Sequence, residues 1–415
     1  MMTDQQRVVV TGVGVVSSVG NGLDAFWGAL TAGKSGLGPV TVFDAAPLKT
    51  RIAGEIKDLN MDLYLPPKEQ RRLDKFCHYA VVAGDEAVKM AGLTADKVNP
   101  ERVACYIGSG VGGIQTLQEQ ARVLFEKGPS RNSPLMVPMM IIDMASGFLS
   151  IRYGFKGPNM GMVTACASGA HAIGESYWLL RRGDADAVIT GGTESCICPL
   201  AMAGFASMRA LSERNDDPIR ASRPFDRERD GFVMSEGAGI LVLETLEHAK
   251  KRGATILAEI VGYGATGDAY HITAPDPDGT GAARAITNAL ARAGLPADAV
   301  DYINAHGTST PLNDKLETMA FKLSLGEHAR KVAISSTKSM TGHALGAAGG
   351  MESIVCIQTL RTGVIPPTIN LENPDPECDL DYTPNTARQR AVKVALNTNL
   401  GFGGHNAALL FRKWE

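Results

Sequence analysis

Three reactive side chains stand in similar company in this sequence: the thiol of Cys166 in "GMVTACASGAHAIG", the imidazole of His306 in "YINAHGTSTP", and that of His343 in "SSTKSMTGHALGAAGG". Cys166 follows a short apolar run and precedes a helical pattern in which Ala170, Ile173, Tyr177 and Leu180 share one face. Arg181, Arg182 and Gly183 close that helix. A free thiol ionises at about 8.5, and the unpaired N–H groups of a helix N-terminus favour its anion. The expectation is a thiolate nucleophile, with Ala, Ser and Gly around it leaving room for an acyl thioester. A single cysteine fits a second description equally well, that of a small buried residue in a tight turn. His306 ends a strand and His343 opens a helix, each next to Gly. One such histidine reads as a cap or a surface residue. Three reactive groups at strand ends and helix starts read as a site, because ligands of open α/β structures gather there.

The elements that must position them alternate along the chain. Short β-branched runs come first as "RVVVTG", "VACYIG" at 103–108 and "DAVITG" at 186–191, then as "ILVLE", "YINAH", "VAISS", "VKVAL" and "AALLF". Between them lie helical patterns such as 69–91, where Leu73, Phe76, Cys77, Ala80, Gly84, Ala87 and Val88 recur at i, i+3, i+4 spacing. Nearly continuous apolar strands imply sheets covered on both faces, the α/β class. The rhythm restarts near residue 255, dividing the chain into halves 1–255, with the cysteine, and 256–415, with both histidines. The Arg- and Pro-containing tract 213–230 reads as an ordered excursion rather than a linker. Gly12-Val13-Gly14 follows a strand, but Ser17 stands where a dinucleotide fingerprint needs its third glycine, so a nicotinamide site is set aside.

Bulk properties narrow the classes. A formal charge of -3 over 415 residues gives no chain-wide basic face for nucleic acid. No apolar leader and no run of about 18 apolar residues is present, so neither secretion nor a membrane span is expected. Seven cysteines without C-x-x-C pairs fit a reducing cytoplasm better than a disulfide framework. Cys196 and Cys198 are too close in sequence for a zinc knuckle, and no metal is expected.

Four ordered stretches, "VTACASGAHAIG", "NAHGTSTPLND", "TKSMTGHALGAAG" and "GFGGHNAAL", together resemble the condensing enzymes of fatty acid synthesis, the β-ketoacyl-acyl carrier protein synthases of the elongating type II branch. The similarity runs over nearly the whole chain, including "SRPFDRERDGFVMSEGAG" and "PPTINLENPDPECDLDY". The resemblance implies a thiolase-like fold, duplicated βαβαβαββ halves in a five-layered α-β-α-β-α arrangement, and a cytoplasmic homodimer. It makes Cys166 the acyl-accepting nucleophile and His306 and His343 the pair that serves malonyl decarboxylation. Lys338 joins this catalytic set, Glu352 supports it, and Asp314 orients the "HGTSTP" loop. The implied oxyanion hole uses the backbone N–H groups of Cys166 and Phe402. Val111, Phe205 and Phe402 bound the acyl channel, Phe402 as its gate, while Thr308 and Thr310 contact the phosphopantetheine arm.

Some positions depart from what relatives often carry: Val111 replaces Ile, and "NLGFGGHN" with Leu400 and His405 replaces "SFGFGGTN". These bear on channel and gate, not on the reactive trio. The implied partner is acyl carrier protein, which delivers acyl and malonyl thioesters and, being acidic, needs local cations. Lys68, Arg71 and Arg72 are the foremost candidates, Arg131 and Arg209 the next, and a solvated helix face explains them equally well. No cofactor is implied, since loss of carbon dioxide drives the reaction. Three other readings remain: a ketosynthase of a specialised polyketide-like pathway, a chain-length-factor subunit, and a Cys-His hydrolase. A chain-length factor typically lacks the cysteine kept here, and a hydrolase needs no second histidine.

Overall fold

The computed structural model describes residues 6–415. Its 11-stranded sheet path is built from two series of five strands, the remaining strand being the two-residue Gly20–Asn21 beside the first. The first series is β1 (Val8–Ser17), β2 (Val103–Gly108), β3 (Asn159–Met162), β4 (Ala187–Glu194) and β5 (Gly237–Thr245). The second is β6 (Ala258–Gly267), β7 (Tyr302–Asn304), β8 (Ala333–Ser335), β9 (Val394–Gly401) and β10 (His405–Lys413). Their spatial orders are β3-β2-β4-β5-β1 and β8-β7-β9-β10-β6, the same topology twice. Strand directions repeat as well: the outer three of each series are parallel, and the inner pairings are antiparallel. A three-residue antiparallel contact between β1 and β6 joins the halves.

Six helices complete the layers: α1 (Lys75–Ala91), α2 (Met144–Tyr153), α3 (Ser168–Arg181), α4 (Thr280–Ala293), α5 (Pro311–Leu325) and α6 (Ala348–Thr362). α1 and α2 cover the outer face of the first series through Phe76, Ala80, Ala87 and Leu149. α4 and α5 cover the outer face of the second through Ile286, Ala289, Phe321 and Leu325. α3 and α6 pack against each other between the two sheets, bringing Ile173, Tyr177, Met351 and Ile354 into one central core. The order is α-β-α-β-α, the expected thiolase-like arrangement. Every residue of α6 from Ala348 to Leu360 is buried, as a helix enclosed on all sides requires.

Contrary to expectation, Gly12-Val13-Gly14 does not follow the first strand but lies within it, and its glycines have a packing cause. A Cβ on Gly12 or Gly14 would lie 2.1 or 2.0 Å from the carbonyl oxygens of Ala87 and Ala83 in α1. In the second half, Gly262 and Gly264 approach Ala289 and Ala285 of α4 in the same way, at 2.4 and 1.9 Å. β1 and β6 also share a one-residue register shift just before these glycines, passing over Thr11 and Val261. The helix expected over 69–91 begins later, at Lys75, because Asp74 accepts a hydrogen bond from Phe76 N as its cap; Pro67–Gln70 is a separate short helix. The 213–230 tract is ordered: the buried guanidinium of Arg229 reaches Asp375 at 2.6 Å and Asp314 at 3.5 Å.

Candidate active site

Cys166 sits between the end of β3 and the start of α3, as a nucleophile at a strand-to-helix corner should. The turn is strained: Ala165 has φ of 50°, in the left-handed region disfavoured for a side chain. Ser168 Oγ secures it by donating to Ala165 O (2.6 Å) and accepting from Thr164 N (2.9 Å). His306 follows β7, and its N–H together with that of Gly307 donates to the Glu317 carboxylate of α5, both at 2.7 Å. His343 does not open a helix, contrary to expectation. It lies in extended backbone bridged to Met234, between the short helix Lys338–Thr341 and α6, its N–H donating to Val233 O at 2.8 Å. The isolated bridge to Met234 holds it there; the small residues that follow wind first as a 3-10 turn over Leu345–Ala347 and then as α6 from Ala348.

All three side chains line one cavity of about 380 Å³. The two imidazoles meet edge to face with centroids 5.2 Å apart. An aromatic series continues from His343 through Phe232 and Phe205 to Phe402, at 5.2, 5.6 and 6.4 Å between successive centroids. Lys338 Nζ lies 3.4 Å from His306 Nδ1 and is ion-paired with the Glu352 carboxylate, which also accepts from Asn399 Nδ2 at 2.7 Å. An ammonium facing Nδ1 leaves the proton of a neutral His306 on Nε2. Burial, then the Lys338 charge and the neighbouring His343, hold His306 well below the usual histidine value. Burial and Lys338 do the same to His343. Both rings are neutral donors at neutral pH.

The thiol departs from expectation. Burial raises Cys166 to about 12 despite the opposing Lys338 charge, so the group rests as a thiol rather than a thiolate. Cys166 is 8% exposed, and α3 begins only at Ser168, so loss of hydration outweighs the pull of the helix end.

The remaining expected residues fall into three groups. Phe205, Phe402, Thr308 and Thr310 line the cavity, the two threonine hydroxyls 2.9 Å apart. Asp314 does tie the "HGTSTP" loop: it is fully buried, accepts from Phe225 N at 2.9 Å and is hydrogen-bonded to the backbone at Ser309. Val111 is absent from the cavity wall and instead packs in the apolar cluster that holds Cys166, Phe205 and Leu345. Of the five cations, Arg209 alone lines the cavity, at its exposed edge with Met208; Lys68, Arg71, Arg72 and Arg131 are exposed on the surface elsewhere. The turn at Gly401, next to Phe402, closely approaches Cys166: a Cβ on Gly401 would lie 3.3 Å from Cys166 N. Behind that turn, Asn406 Nδ2 donates to Asp268 (2.6 Å), and Asp268 N donates to Gly404 O (2.9 Å). Sequence reasoning missed Glu317, whose place three residues after Asp314 on one helix face was the available signal.

Residues 5–249 match the Beta-ketoacyl synthase N-terminal domain, and residues 257–372 match its C-terminal domain. The chain belongs to the β-ketoacyl synthase family. It is 54% identical over 412 residues to a 3-oxoacyl-[acyl-carrier-protein] synthase 2 of Synechocystis sp., covering 99% of both chains. A Staphylococcus aureus protein of the same name is 51% identical over the full length of both. Among solved structures, a beta-ketoacyl synthase from Burkholderia phymatum superposes with a TM-score of 0.92 at 36% identity, covering 99% of this chain and 100% of that one. A type II polyketide ketosynthase, solved with its acyl-carrier protein and bound to the hexaketide, gives 0.92 at 35%, covering 99% of each. As a β-ketoacyl synthase the chain is an enzyme, a condensing acyltransferase.

Proposed function

We propose that this synthase is the elongating condensing enzyme of type II fatty acid synthesis, joining a carrier-bound acyl chain to malonyl-acyl carrier protein. The convergence of Cys166, His306 and His343 on one cavity carries the reading. The Cys166 sulfur attacks the acyl thioester carbonyl, its proton passing to a neutral imidazole and from there to the carrier sulfur, which departs as a thiol with the electrons of the broken C–S bond. Backbone N–H groups of Cys166 and Phe402 stabilise the tetrahedral oxyanion; one such donor is worth about 3–4 kcal/mol. Malonyl carrier then enters, and the N–H groups of His306 and His343 donate to its thioester oxygen. The C–C bond to the carboxylate breaks, carbon dioxide leaves, and the enolate attacks the acyl-Cys166 carbonyl. The products are 3-oxoacyl carrier, two carbons longer, and free Cys166. Lys338 keeps the imidazoles neutral, and Glu352 holds the Lys338 ammonium in place. No step calls on a cofactor.

Relatives at 50–54% identity named 3-oxoacyl-[acyl-carrier-protein] synthase 2 support this over the polyketide reading, whose structural neighbour stands at 35%. Acyl carrier protein is the partner, met at the cavity mouth by Arg209, with Thr308 and Thr310 along the phosphopantetheine arm. A second copy of this chain pairs on edge strand β3, where Met160 and Val163 are 52% and 53% exposed. All seven cysteines are buried and free, consistent with the cytoplasm, and no helix among the described residues is long and apolar enough to cross a membrane.

Intact-mass measurement tests the reading: acyl carrier protein transfers its acyl group to the wild type and leaves Cys166→Ala unmodified. Malonyl carrier then yields 3-oxoacyl carrier and one carbon dioxide per turnover. An acyl adduct on the variant, or repeated extension of one chain, would count against it.

A further inference from the structure

His405 departs from what relatives often carry, and the reaction steps above give it no role. It opens β10, three residues after Phe402, and is partly exposed. Gly401, Phe402 and Gly404 of the turn before it line the cavity. Gly403 and Gly404 have φ of 85° and 73°. Two successive glycines in the left-handed region leave such a turn free to take other paths. On one side its main chain is tied to the loop at the cavity mouth: Gly403 N donates to Ile272 O at 2.8 Å, and Asp268 N donates to Gly404 O. On the other side lies α3, and there His405 makes a contact. Its ring meets that of His171 edge to face, with centroids 6.4 Å apart and planes at 82°. A Cβ on Gly403 would lie 3.2 Å from the His405 ring, so the turn folds directly against it.

His171 is a fixed stop. It stands on α3, and its N–H donates at 2.9 Å to the carbonyl oxygen of Ala167, the residue after Cys166. Its Nδ1 is 2.6 Å from the hydroxyl of Tyr263 in β6. The Tyr263 ring fills the space beside Gly174 of the same helix, where a Cβ would lie 2.3 Å from it. The imidazole is buried; burial, then His405, hold it down to about 4, so it stays neutral. The contacts therefore run without a break from β6 through Tyr263 and His171 to His405, and so to the turn that carries Phe402. His171 lies about one helical turn from the Cys166 corner, so the same helix bears the nucleophile and the stop.

We propose that His405 is a positioning residue: its ring, seated on His171, sets the Phe402 turn against the Cys166 turn so that the two N–H groups converge on one oxyanion. This rests on the condensing function proposed above. Such donors act only within about 2.7–3.1 Å of the oxygen they stabilise, and losing one altogether costs about 100- to 1000-fold in rate. Displacing one is expected to cost at least tenfold.

His405→Ala tests this, with acylation of Cys166 by acyl carrier protein followed by intact mass in a single turnover. The maximal acylation rate falls at least tenfold, and the carrier concentration giving half of it changes less than twofold. Carbon dioxide release from malonyl carrier, measured on enzyme already acylated, falls less than threefold, since His306 and His343 serve that step. His405→Phe keeps a ring against His171 and restores acylation to within threefold of the wild type. His171→Leu removes the contact from the other side, gives the same pattern, and carries the test if His405→Ala does not fold. Combined, the two substitutions slow acylation no more than either alone. An unchanged acylation rate, equal slowing of both steps, additive losses, or no recovery in His405→Phe overturns the proposal. A wild type that takes no acyl group from the carrier overturns the functional reading instead.

Discussion

At the scale of single residues, the cavity trades one kind of readiness for another. Burial leaves Cys166 a thiol, and it leaves His306 and His343 neutral, able to take a proton or donate an N–H. Lys338 acts on all three through its charge, which favours a thiolate and disfavours an imidazolium. Replacing it by Met removes that field, so both histidine values rise toward the usual one of about 6.5. The acid limb of the kcat profile, expected well below that value in the wild type, should move up in Lys338→Met. A limb that stays in place would show that burial alone keeps the rings neutral. The same substitution strands Glu352, whose carboxyl burial already pushes upward and the Lys338 charge pulls back. Breaking a buried pair from one side costs about 3–5 kcal/mol, read as a lowered denaturant midpoint, and Lys338→Met with Glu352→Gln should recover part of it.

At the scale of elements, what the sequence disclosed depended on whether local pattern or distant packing set the structure. The β-branched runs at 103–108 and 186–191 gave strands because both faces of those strands are buried. β3 showed only as the short apolar run before Cys166, without bounds: "NMGM" has no β-branched residue, and as an edge strand it is partly exposed. β6 escaped as well, since "AEIVGYGATG" is broken by glycines whose cause lies in a helix about 20 residues on. The reactive trio was legible because its chemistry is carried by side-chain type, whereas the thiol's ionisation was not, because burial is a tertiary property. The glycine pairs make a test. Gly12→Ala drives a Cβ to within 2.1 Å of the Ala87 carbonyl oxygen, and Gly264→Ala to within 1.9 Å of that of Ala285. Each substitution should cost at least about 1–3 kcal/mol through overpacking, and by similar amounts if the halves are structural repeats. Gly28→Ala, at an exposed position in the middle of helix Leu23–Thr31 with nothing within 4 Å of its Cβ, is the control and should raise the midpoint of thermal unfolding slightly, a gain of about 0.5–1 kcal/mol.

At the scale of the whole molecule, duplication divides the labour. Cys166 comes from the first half and both histidines from the second, so neither half brings together the side chains of the cavity alone. The α3–α6 layer between the sheets gathers them, α3 starting at the nucleophile turn and α6 at the end of the His343 segment. Edge strand β3 adds a further dependence, because it ends at Met162, just before the turn that carries Cys166. An unpaired edge with exposed apolar side chains invites another strand, and a second copy related by a twofold axis would supply one in antiparallel register. Such pairing would steady the backbone leading into the Ala165 turn, whose positive φ has to be held from both sides. Met160→Glu with Val163→Glu sets like charges across that seam, where directly opposed charges destabilise pairing. Sedimentation should give the wild type twice the mass of one chain and the double variant one. Acylation of Cys166 should slow as the dimer dissociates, most clearly on dilution. A wild type that sediments as a single chain, or a monomeric variant that is acylated at the full rate, would show that the nucleophile turn needs no second copy.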